Sequence, residues 1–489
     1  MIKTTISIHD KYQLELKSYY PLKAGKKGTS YTINSYLFIP NNLGINPLTF
    51  PKYLFYRQIH TYIRFKTPTV ILKNMAAGQD SPLQSLAENY RSISCRKDAE
   101  TIKNFQNSNQ LFCCILDSAS RDHVELVKQK QDHDDIEELV TGYTGDVRKI
   151  LKEFRNLRHI INVPSVQAKH FSLYQTADEY ISLIIEKYGY ELLDILQEKN
   201  KDIFLGAKPA VLKLINDEIK YRVQKGYPSV PEEEGGNETL LFRKNVFKRY
   251  MSSILYLNTR QQATARVVRQ TIAGVAAGLS MIFATALAFF YQQKYGNFTL
   301  PFFMALVIGY MFKDRIKETT REYLSNRILG LFNDHQTTIY NATQKDKIGF
   351  CQEMMTFVRE DKLTSGITQL RNRGSLIEEA RDYYGEQVML YRKKIRLYAK
   401  QLADSYQNID YEGVNDITTI SMDKFIQKMD DPRKTLYRTD GSEYWKVKGT
   451  KVYHLNLIVE YTSNDQIIYK RFRIVLNRTG IKRIKEYPD

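Results

Sequence analysis

The sequence predicts a membrane protein with α+β soluble parts, in which a two-helix transmembrane hairpin continues into a helical stalk. Three observations predict this fold: an uncharged apolar block at 271–290, a second apolar run at 298–312, and alternating apolar and polar residues near both ends of the chain. The soluble parts are predicted as a β-rich N-terminal unit followed by a helical region, and a C-terminal antiparallel meander with helices.

The apolar block at 271–290 contains twenty residues without a charge. As a helix it extends roughly 30 Å, which is about the hydrocarbon thickness of a bilayer. A buried helix of a soluble protein is the competing explanation, but soluble cores seldom use so many uncharged positions in a row. The block therefore predicts a transmembrane helix.

The second run, 298–312, has fifteen residues and is short for an independent span. Pro301 suits the first turn of a helix, where its missing N–H is harmless. Lys313 and Arg315 extend the effective span by reaching outward to the membrane surface. A hairpin is favoured, and a re-entrant segment is the alternative.

The charges that flank the two runs predict an orientation. Residues 242–269 contain seven Lys and Arg and no acids, whereas the loop at 291–297 carries only Lys294. The positive-inside bias places both termini on the cytoplasmic side of a plasma or inner membrane. Arg266, Arg269, Lys313 and Arg315 are the residues predicted to contact the membrane surface. The first residues lack the apolar region of a signal peptide.

Changes in composition predict the domain boundaries. Residues 226–237, GYPSVPEEEGGN, cannot hold a helix and form a predicted linker. The predicted divisions are a β-rich unit at 1–75, a helical region at 76–225, the linker at 226–237, stalk helices and hairpin at 238–343, and a mixed α+β domain at 344–489.

Local periodicity predicts the elements around the hairpin. Val246, Tyr250, Ile254 and Leu257 have helical spacing, so a helix is expected to run from there into the first span and to form one half of the stalk. Strands are predicted at 453–461 and 468–476, with a short third strand after Gly480. A strand at 444–448 is expected to precede this meander.

The chain carries a formal net charge of +18 and has a pI near 9.3. This charge favours polyanionic partners: anionic lipid headgroups, an acidic protein or nucleic acid. Its four cysteines show no CxxC spacing and are interpreted as reduced thiols. Gly274 and Gly278 form a GxxxG pattern, and Ala305 and Gly309 a similar pair, so a second copy of the chain is a further expected partner.

No phosphate-binding loop, HExxH, GxSxG or zinc-ligand spacing occurs in the sequence, and no cofactor is predicted. Three residues are candidate metal ligands: His133, Glu137 and Asp117. His133 and Glu137 would share one face of a helix, and Asp117 ends the apolar run LFCCILD. The competing explanations are an acidic helix start, where Asp caps the backbone, and a buried segment that ends in an acid.

The basic C-terminal region supplies the candidate binding residues. Tyr469, Arg471 and Arg473 alternate along one strand, and Lys482 and Arg483 follow. A basic face that bears an aromatic residue can bind nucleic acid or anionic headgroups. An ordinary solvated face is the competing explanation.

The expected function is that of a membrane-anchored, non-enzymatic scaffold or sensor on the cytoplasmic face. Two alternatives remain open at this level. One is a membrane-tethered, metal-dependent hydrolase or nuclease, and the other is an oligomeric channel lined by the hairpin, although neither span carries an ionisable residue.

Overall fold

The computed structural model describes residues 3–21, 28–76, 78, 81–96, 98–164, 166–199, 206–230, 237–262, 264–297, 299–328, 333–341, 346–372, 385–405, 413–463 and 466–487. For residues 3, 264–266, 269, 326–328, 403–405, 463 and 466 it describes the backbone alone. The chain divides into two compact units. One comprises Met1–Ile63, Leu257–Ile409 and Gly413–Asp489, and the other is essentially Arg64–Tyr256.

The strands of the described residues are, in chain order, β1 (Lys3–Asp10), β2 (Gln13–Pro21), β3 (Thr29–Pro40), β4 (Ile59–Phe65), β5 (Asn258–Gln262), β6 (His335–Tyr340), β7 (Lys347–Val358), β8 (Glu386–Leu397), β9 (Gly413–Ser421), β10 (Arg433–Thr439), β11 (Tyr444–Thr450), β12 (Tyr453–Ser463), β13 (Gln466–Asn477) and β14 (Gly480–Tyr487).

The α-helices are α1 (Lys52–Gln58), α2 (Pro82–Cys95), α3 (Ala99–Gln129), α4 (His133–Asn156), α5 (Arg158–Ile161), α6 (Ala168–Lys199), α7 (Ala207–Lys225), α8 (Glu238–Ser252), α9 (Thr264–Tyr295), α10 (Leu300–Ile328), α11 (Ser365–Asn372), α12 (Ala399–Ser405) and α13 (Asp423–Ile426). The mixed α+β content and the antiparallel sheets that the sequence predicts are confirmed.

Two packed sheets form the core of the first unit. The larger has the order β14-β13-β12-β3-β8-β7-β6-β5, and the smaller has the order β1-β2-β9-β4. The sheets lie face to face: the rings of Tyr20 on β2 and Tyr31 on β3 are 4.4 Å apart, and both side chains are buried. Along β2 every second residue is buried, as expected for a strand with one face toward a core.

Strands from both ends of the chain share these sheets. β3 lies between β8 and β12, and β2 pairs with β9. The sequence predicts separate units at 1–75 and 344–489, whereas the structure joins their strands in one unit. Alternation along a strand reveals its buried face but not its partner, and these partners are several hundred residues apart in the chain.

The C-terminal meander follows the predicted order, because β12, β13 and β14 pair one after another in antiparallel fashion. The strand expected at 444–448 is present as β11 but does not join this meander. It pairs with β10 in a separate two-stranded ribbon.

The second unit is helical and contains α2 to α8. Its core takes large apolar side chains from successive helices, such as Leu116 of α3, Tyr143 of α4 and Ile185 of α6. Between helices the buried carboxylate of Glu218 accepts two hydrogen bonds, at 2.9 and 2.7 Å, from the guanidinium of Arg155. This pairing satisfies a carboxylate that would otherwise be costly to bury.

α9 and α10 pack against each other through small side chains. Ala276 and Ser280 of α9 are fully buried, Ala305 of α10 is 4% exposed, and a Cβ on Gly309 would lie 3.3 Å from Leu287. The predicted pair Ala305 and Gly309 therefore serves the contact inside the hairpin. The predicted pattern at Gly274 and Gly278 is exposed, and a Cβ there would meet nothing within 4 Å.

One described helix segment, Gln270–Tyr295, is long and apolar enough to cross a membrane, with a mean hydropathy of 2.0. Most of its side chains and those of the apolar half of α10 are exposed: Ile282 is 67% exposed, Phe289 66% and Met311 66%. The contact between Gly309 and Leu287 shows how the antiparallel helices α9 and α10 are aligned along their length. It puts the apolar residues 300–312 opposite about 281–295, since antiparallel helices rise equally per residue.

The predicted stalk is wrong on its N-terminal side. α8 ends at Ser252, and a short 3-10 helix (Ser253–Leu255) and the strand β5, which pairs with β6, separate it from α9. The buried side chains of α8 are Phe247 and Met251, whereas Val246 is 43% exposed. The spacing that predicts a long helix thus spans α8, a 3-10 turn and the residue just before β5. On the other side, α10 does continue as a helix to Ile328.

We predict that Ala276→Leu destabilises the hairpin by about 1–3 kcal/mol, because extra carbon atoms must be forced into a closely packed contact. We expect the variant to lose its helical circular dichroism at a lower temperature than the unaltered chain. The measurement is thermal unfolding of the full chain in detergent micelles. Ala286→Leu, the same substitution at an exposed position of α9, is the matched control and should leave the midpoint unchanged. Equal midpoints in the two variants would contradict this packing.

Candidate functional site

Strand pairing brings three chemically active side chains to one face of the large sheet. Glu353 of β7 lies opposite Lys393 of β8, and Cys351 of β7 lies opposite Thr337 of β6. Because residues directly opposite each other in an antiparallel pair point to the same face, all four share the face that packs toward the smaller sheet. Glu353, Lys393 and Cys351 are each 2% exposed.

Lys393 forms an ion pair between the two sheets. Its ammonium donates to Asp416 of β9 at 2.5 Å and to the hydroxyl of Thr418 at 3.3 Å, and Asp416 is also 2% exposed. Burial by itself lowers the pKa of Lys393, but the carboxylate of Asp416 outweighs it, so that the pKa of Lys393 is raised. Lys393 therefore stays protonated at neutral pH.

A second group of polar side chains surrounds Glu353. The hydroxyl of Tyr391 donates to Glu353, and the hydroxyl of Tyr56 donates to Asp334 at 3.0 Å. Asp334 also accepts from Lys52 at 2.7 Å. Burial, together with the charges of Asp334 and Glu353, raises the pKa of Tyr56, so this phenol is a neutral donor.

A cavity of about 220 Å³ adjoins these residues. It is large enough to hold several waters or a small molecule. Tyr56 of α1 and residues 59–63 of β4 contribute to its lining. The remaining lining comes from the sheet: Thr259 and Gln261 of β5, Thr337 of β6, Cys351 and Glu353 of β7, and Lys393 of β8.

The lining of the cavity is largely polar. It offers an ammonium, a carboxylate, hydroxyls and an amide, and thus both donors and acceptors. Burial raises the pKa of the Cys351 thiol well above its ordinary value, so a thiolate nucleophile is not available there at neutral pH.

The cavity is also connected to the hairpin by the chain itself. β5, which contributes Thr259 and Gln261, ends two residues before α9 begins, and β6, which contributes Thr337, is the next strand after α10. β5 is the edge strand of the sheet, is largely exposed and pairs in register with β6.

The predicted metal ligands belong to the helical unit and are not part of the cavity lining. Asp117 lies within α3, where it accepts a hydrogen bond from Tyr188 at 3.0 Å. His133 begins α4 and Glu137 follows one turn later, while Asp132 caps this helix by accepting from the backbone of Asp134. Within the described ranges, no three His, Cys, Asp or Glu side chains lie close enough together to hold a metal ion.

The predicted basic residues do not form one exposed patch. Arg471 is 4% exposed, and Arg471 and Arg473 lie 4.8 and 5.0 Å from the ring of Tyr487. Tyr469 packs against an apolar cluster that includes Ile367 of α11. Burial, with help from the neighbouring charges Arg371 and Arg473, lowers the pKa of Arg471.

Lys482 and Arg483 are exposed on β14. Among the predicted membrane-surface residues, Arg315 is exposed on α10, and the ammonium of Lys313 lies 5.3 Å from the ring of Tyr310. Arg266 and Arg269 belong to α9, but their side chains lie outside the described residues.

Sequence reasoning missed Lys393, Glu353 and Asp416. A signal for Lys393 was present, since it occupies an inward position of an alternating strand between the buried residues Tyr391 and Ile395. A charged residue at such a position needs a buried partner, and its identification as a site residue depends on finding that partner.

No protein-family model, curated protein or solved structure matches this chain.

We predict that Lys393→Met destabilises the first unit by about 3–5 kcal/mol at neutral pH, because it leaves the Asp416 carboxylate buried without its ammonium. Burial already raises the pKa of Asp416, and loss of the ammonium raises it further. A carboxyl whose pKa is higher in the folded than in the unfolded chain binds more protons when folded, so the deficit of the variant should shrink as pH falls.

The measurement is urea unfolding of the full chain in detergent micelles, followed by circular dichroism at neutral and mildly acidic pH. The double variant Lys393→Met, Asp416→Asn should recover part of the loss, since both charges are then removed. A deficit that is independent of pH, or no recovery in the double variant, would show that this pair carries no buried charge.

Proposed function

We propose that the protein is a membrane-anchored, non-enzymatic sensor, which binds a small polar ligand in the cavity of the first unit and transmits occupancy to the membrane hairpin. The observation that carries this proposal is the chain path: β5 and β6 line the cavity, and α9 and α10 are inserted between them. The same two strands thus belong to the binding site and to the base of the hairpin.

In this proposal α9 and α10 form a two-helix transmembrane hairpin with both termini on the cytoplasmic side. The exposed apolar side chains of both helices support it, because exposure to water of so many large apolar groups is unfavourable. The apolar stretches of the two helices that lie side by side are about 281–295 and 300–312. They are shorter than the hydrocarbon thickness of a typical bilayer. Local thinning and outward-reaching Lys313 and Arg315 compensate for that difference.

In this proposal, ligand binding is coupled to the hairpin through β5, because the pairing of β5 with the rest of the sheet is weak. This strand has five residues, occupies the sheet edge and is mostly exposed, so its pairing with β6 is among the more easily altered parts of the sheet. A ligand that forms hydrogen bonds with Thr259, Gln261 and Thr337 favours the paired arrangement. It thereby fixes the relative position of the two chain segments that enter and leave the hairpin.

The protonation states in the cavity favour binding over catalysis. A general base or a nucleophile must have a pKa near the working pH. The pKa of Lys393 is raised and that of Cys351 is raised well above its ordinary value, so neither group is poised to exchange a proton or attack a substrate at neutral pH.

We predict that the loop between α9 and α10 is reached from outside the cell. In a Cys95→Ser background, which removes the exposed native thiol, Gln293→Cys should react with a membrane-impermeant maleimide added to intact cells. Gln262→Cys in β5 is the control and should react only after lysis. A loop that reacts only after lysis would indicate a re-entrant or surface-lying hairpin.

We predict that small polar metabolites detected on the full chain by native mass spectrometry lose at least about tenfold in affinity when Glu353 is replaced by Gln, since a charged hydrogen-bond acceptor is removed. Glu460→Gln is the matched control. This carboxylate accepts from Asn34 on the opposite face of the same sheet and should not affect binding.

The same ligand should slow backbone hydrogen exchange in β5, β6 and the first turn of α9, while β14, at the far edge of the sheet, remains unchanged. Binding without this change in exchange would separate the cavity from the hairpin and contradict the sensor proposal.

A further inference from the structure

The ribbon formed by β10 and β11 stands apart from both sheets of the first unit. Its strands pair with each other and, among the described strands, with no other. Every residue of β10 is exposed, and in β11 only Gly449 is not. An isolated two-stranded ribbon is marginally stable in water, so contact with a further surface would stabilise this one.

Local contacts nevertheless hold the ribbon in a defined shape. At its base, Asp430 accepts hydrogen bonds from Lys451 and, at 3.1 Å, from the hydroxyl of Tyr453. At its tip, Asp440 accepts from the backbone of Ser442 and Glu443, which lowers the pKa of this carboxyl. Hydrogen bonds at both ends thus give the ribbon a defined conformation.

Both faces of the ribbon expose apolar or aromatic side chains. Leu436 lies opposite Val447, and Arg438 lies opposite Trp445 with its guanidinium 5.6 Å from the indole ring. Leu436 is 55% exposed, and Val447 and Trp445 are 40% exposed. The other face carries Tyr437 and Tyr444, which are 66% and 71% exposed.

The charge of the ribbon is strongly positive. Its two acids, Asp440 and Glu443, are confined to the turn, and its strands carry five cations: Arg433, Lys434, Arg438, Lys446 and Lys448. Interleaved cations and amphipathic aromatic rings are typical of the interface between lipid headgroups and acyl chains, where the ring is partly buried and the cation meets phosphate.

We propose that this ribbon docks on a membrane surface that contains anionic phospholipids, with Trp445, Leu436 and Val447 at the headgroup boundary and the surrounding cations on the phosphates. The site is distinct from the sensor cavity and from the hairpin, and it adds a second membrane contact to the first unit. The aliphatic pair favours lipid over nucleic acid, because Leu436 and Val447 gain by leaving water for acyl chains, whereas nucleic-acid strands are bound mainly by stacking and phosphate contacts.

The chain contains a single tryptophan, so its fluorescence reports on the ribbon alone. The full chain is placed in nanodiscs of phosphatidylcholine, or of phosphatidylcholine mixed with phosphatidylserine. Tryptophan emission should shift to shorter wavelength in the anionic nanodiscs and should be quenched there by brominated lipid. Acrylamide, a quencher confined to water, should become less effective.

The variant Arg438→Gln, Lys446→Gln, Lys448→Gln retains the tryptophan and should lose most of the lipid response. About a hundredfold weaker attraction to anionic lipid is expected from removal of three surface cations. The matched control, Lys103→Gln, Lys152→Gln, Lys213→Gln, removes three exposed cations from the helical unit and should respond as the unaltered chain does.

Tryptophan emission that is the same in both kinds of nanodisc would overturn the proposal. So would an emission change on addition of single-stranded polyuridylate that exceeds any change with anionic lipid, since the ribbon would then be a nucleic-acid contact. Release of the chain from membranes by alkaline carbonate tests the hairpin independently, so a failed ribbon and a failed anchor give different results.

Discussion

The pairing of β3 with both β8 and β12 is the constraint on which the first unit depends. β3 is twelve residues long, is mostly buried, and comes from the N-terminal end of the chain, whereas its two neighbours come from beyond the hairpin. This pairing fixes the register of β8 and hence the position of Lys393. Through β7 and β6 it also fixes the edge of the sheet from which the hairpin departs. Non-local pairing of this kind makes the fold slow to form but strongly specified by its buried face.

Charged groups between the two sheets come at a free-energy cost that apolar residues would not impose. A buried pair such as Lys393 and Asp416 is weak evidence for stability, because desolvation of both ions opposes their attraction. Its presence next to Glu353 and a polar cavity is understandable if the interior is selected for binding a polar molecule. In that case the unit is less stable at its site than it would be with an apolar interior, as is common at functional sites.

The sequence revealed the elements whose pattern is local. Leu14 and Leu16 mark β2 by alternation, and the apolar block at 271–290 marks most of α9. It did not reveal what depends on distant partners: the joining of both chain ends in shared sheets, or the ion pair of Lys393. The prediction of a stalk helix before α9 was wrong because the apolar residues at helical spacing do not share one helix. Val246 and Tyr250 lie in α8, Ile254 lies in a 3-10 turn, and Leu257 comes just before β5. The strand at 444–448 was expected beside the meander, and its partner β10 was not predicted, because alternation cannot tell a strand in a large sheet from one in an isolated pair.

The in-register pairing of β5 and β6 has a consequence for how the helices α9 and α10 relate to the rest of the chain. Gln262 and Gln336 lie directly opposite each other, so their Cα atoms are about 5 Å apart. Topologically, everything between them is an insertion in a β-hairpin, and a two-residue turn would close the gap it leaves. The insertion could therefore be excised, and hairpins of other lengths could be grafted at the same point, without disturbing the pairing of these two strands.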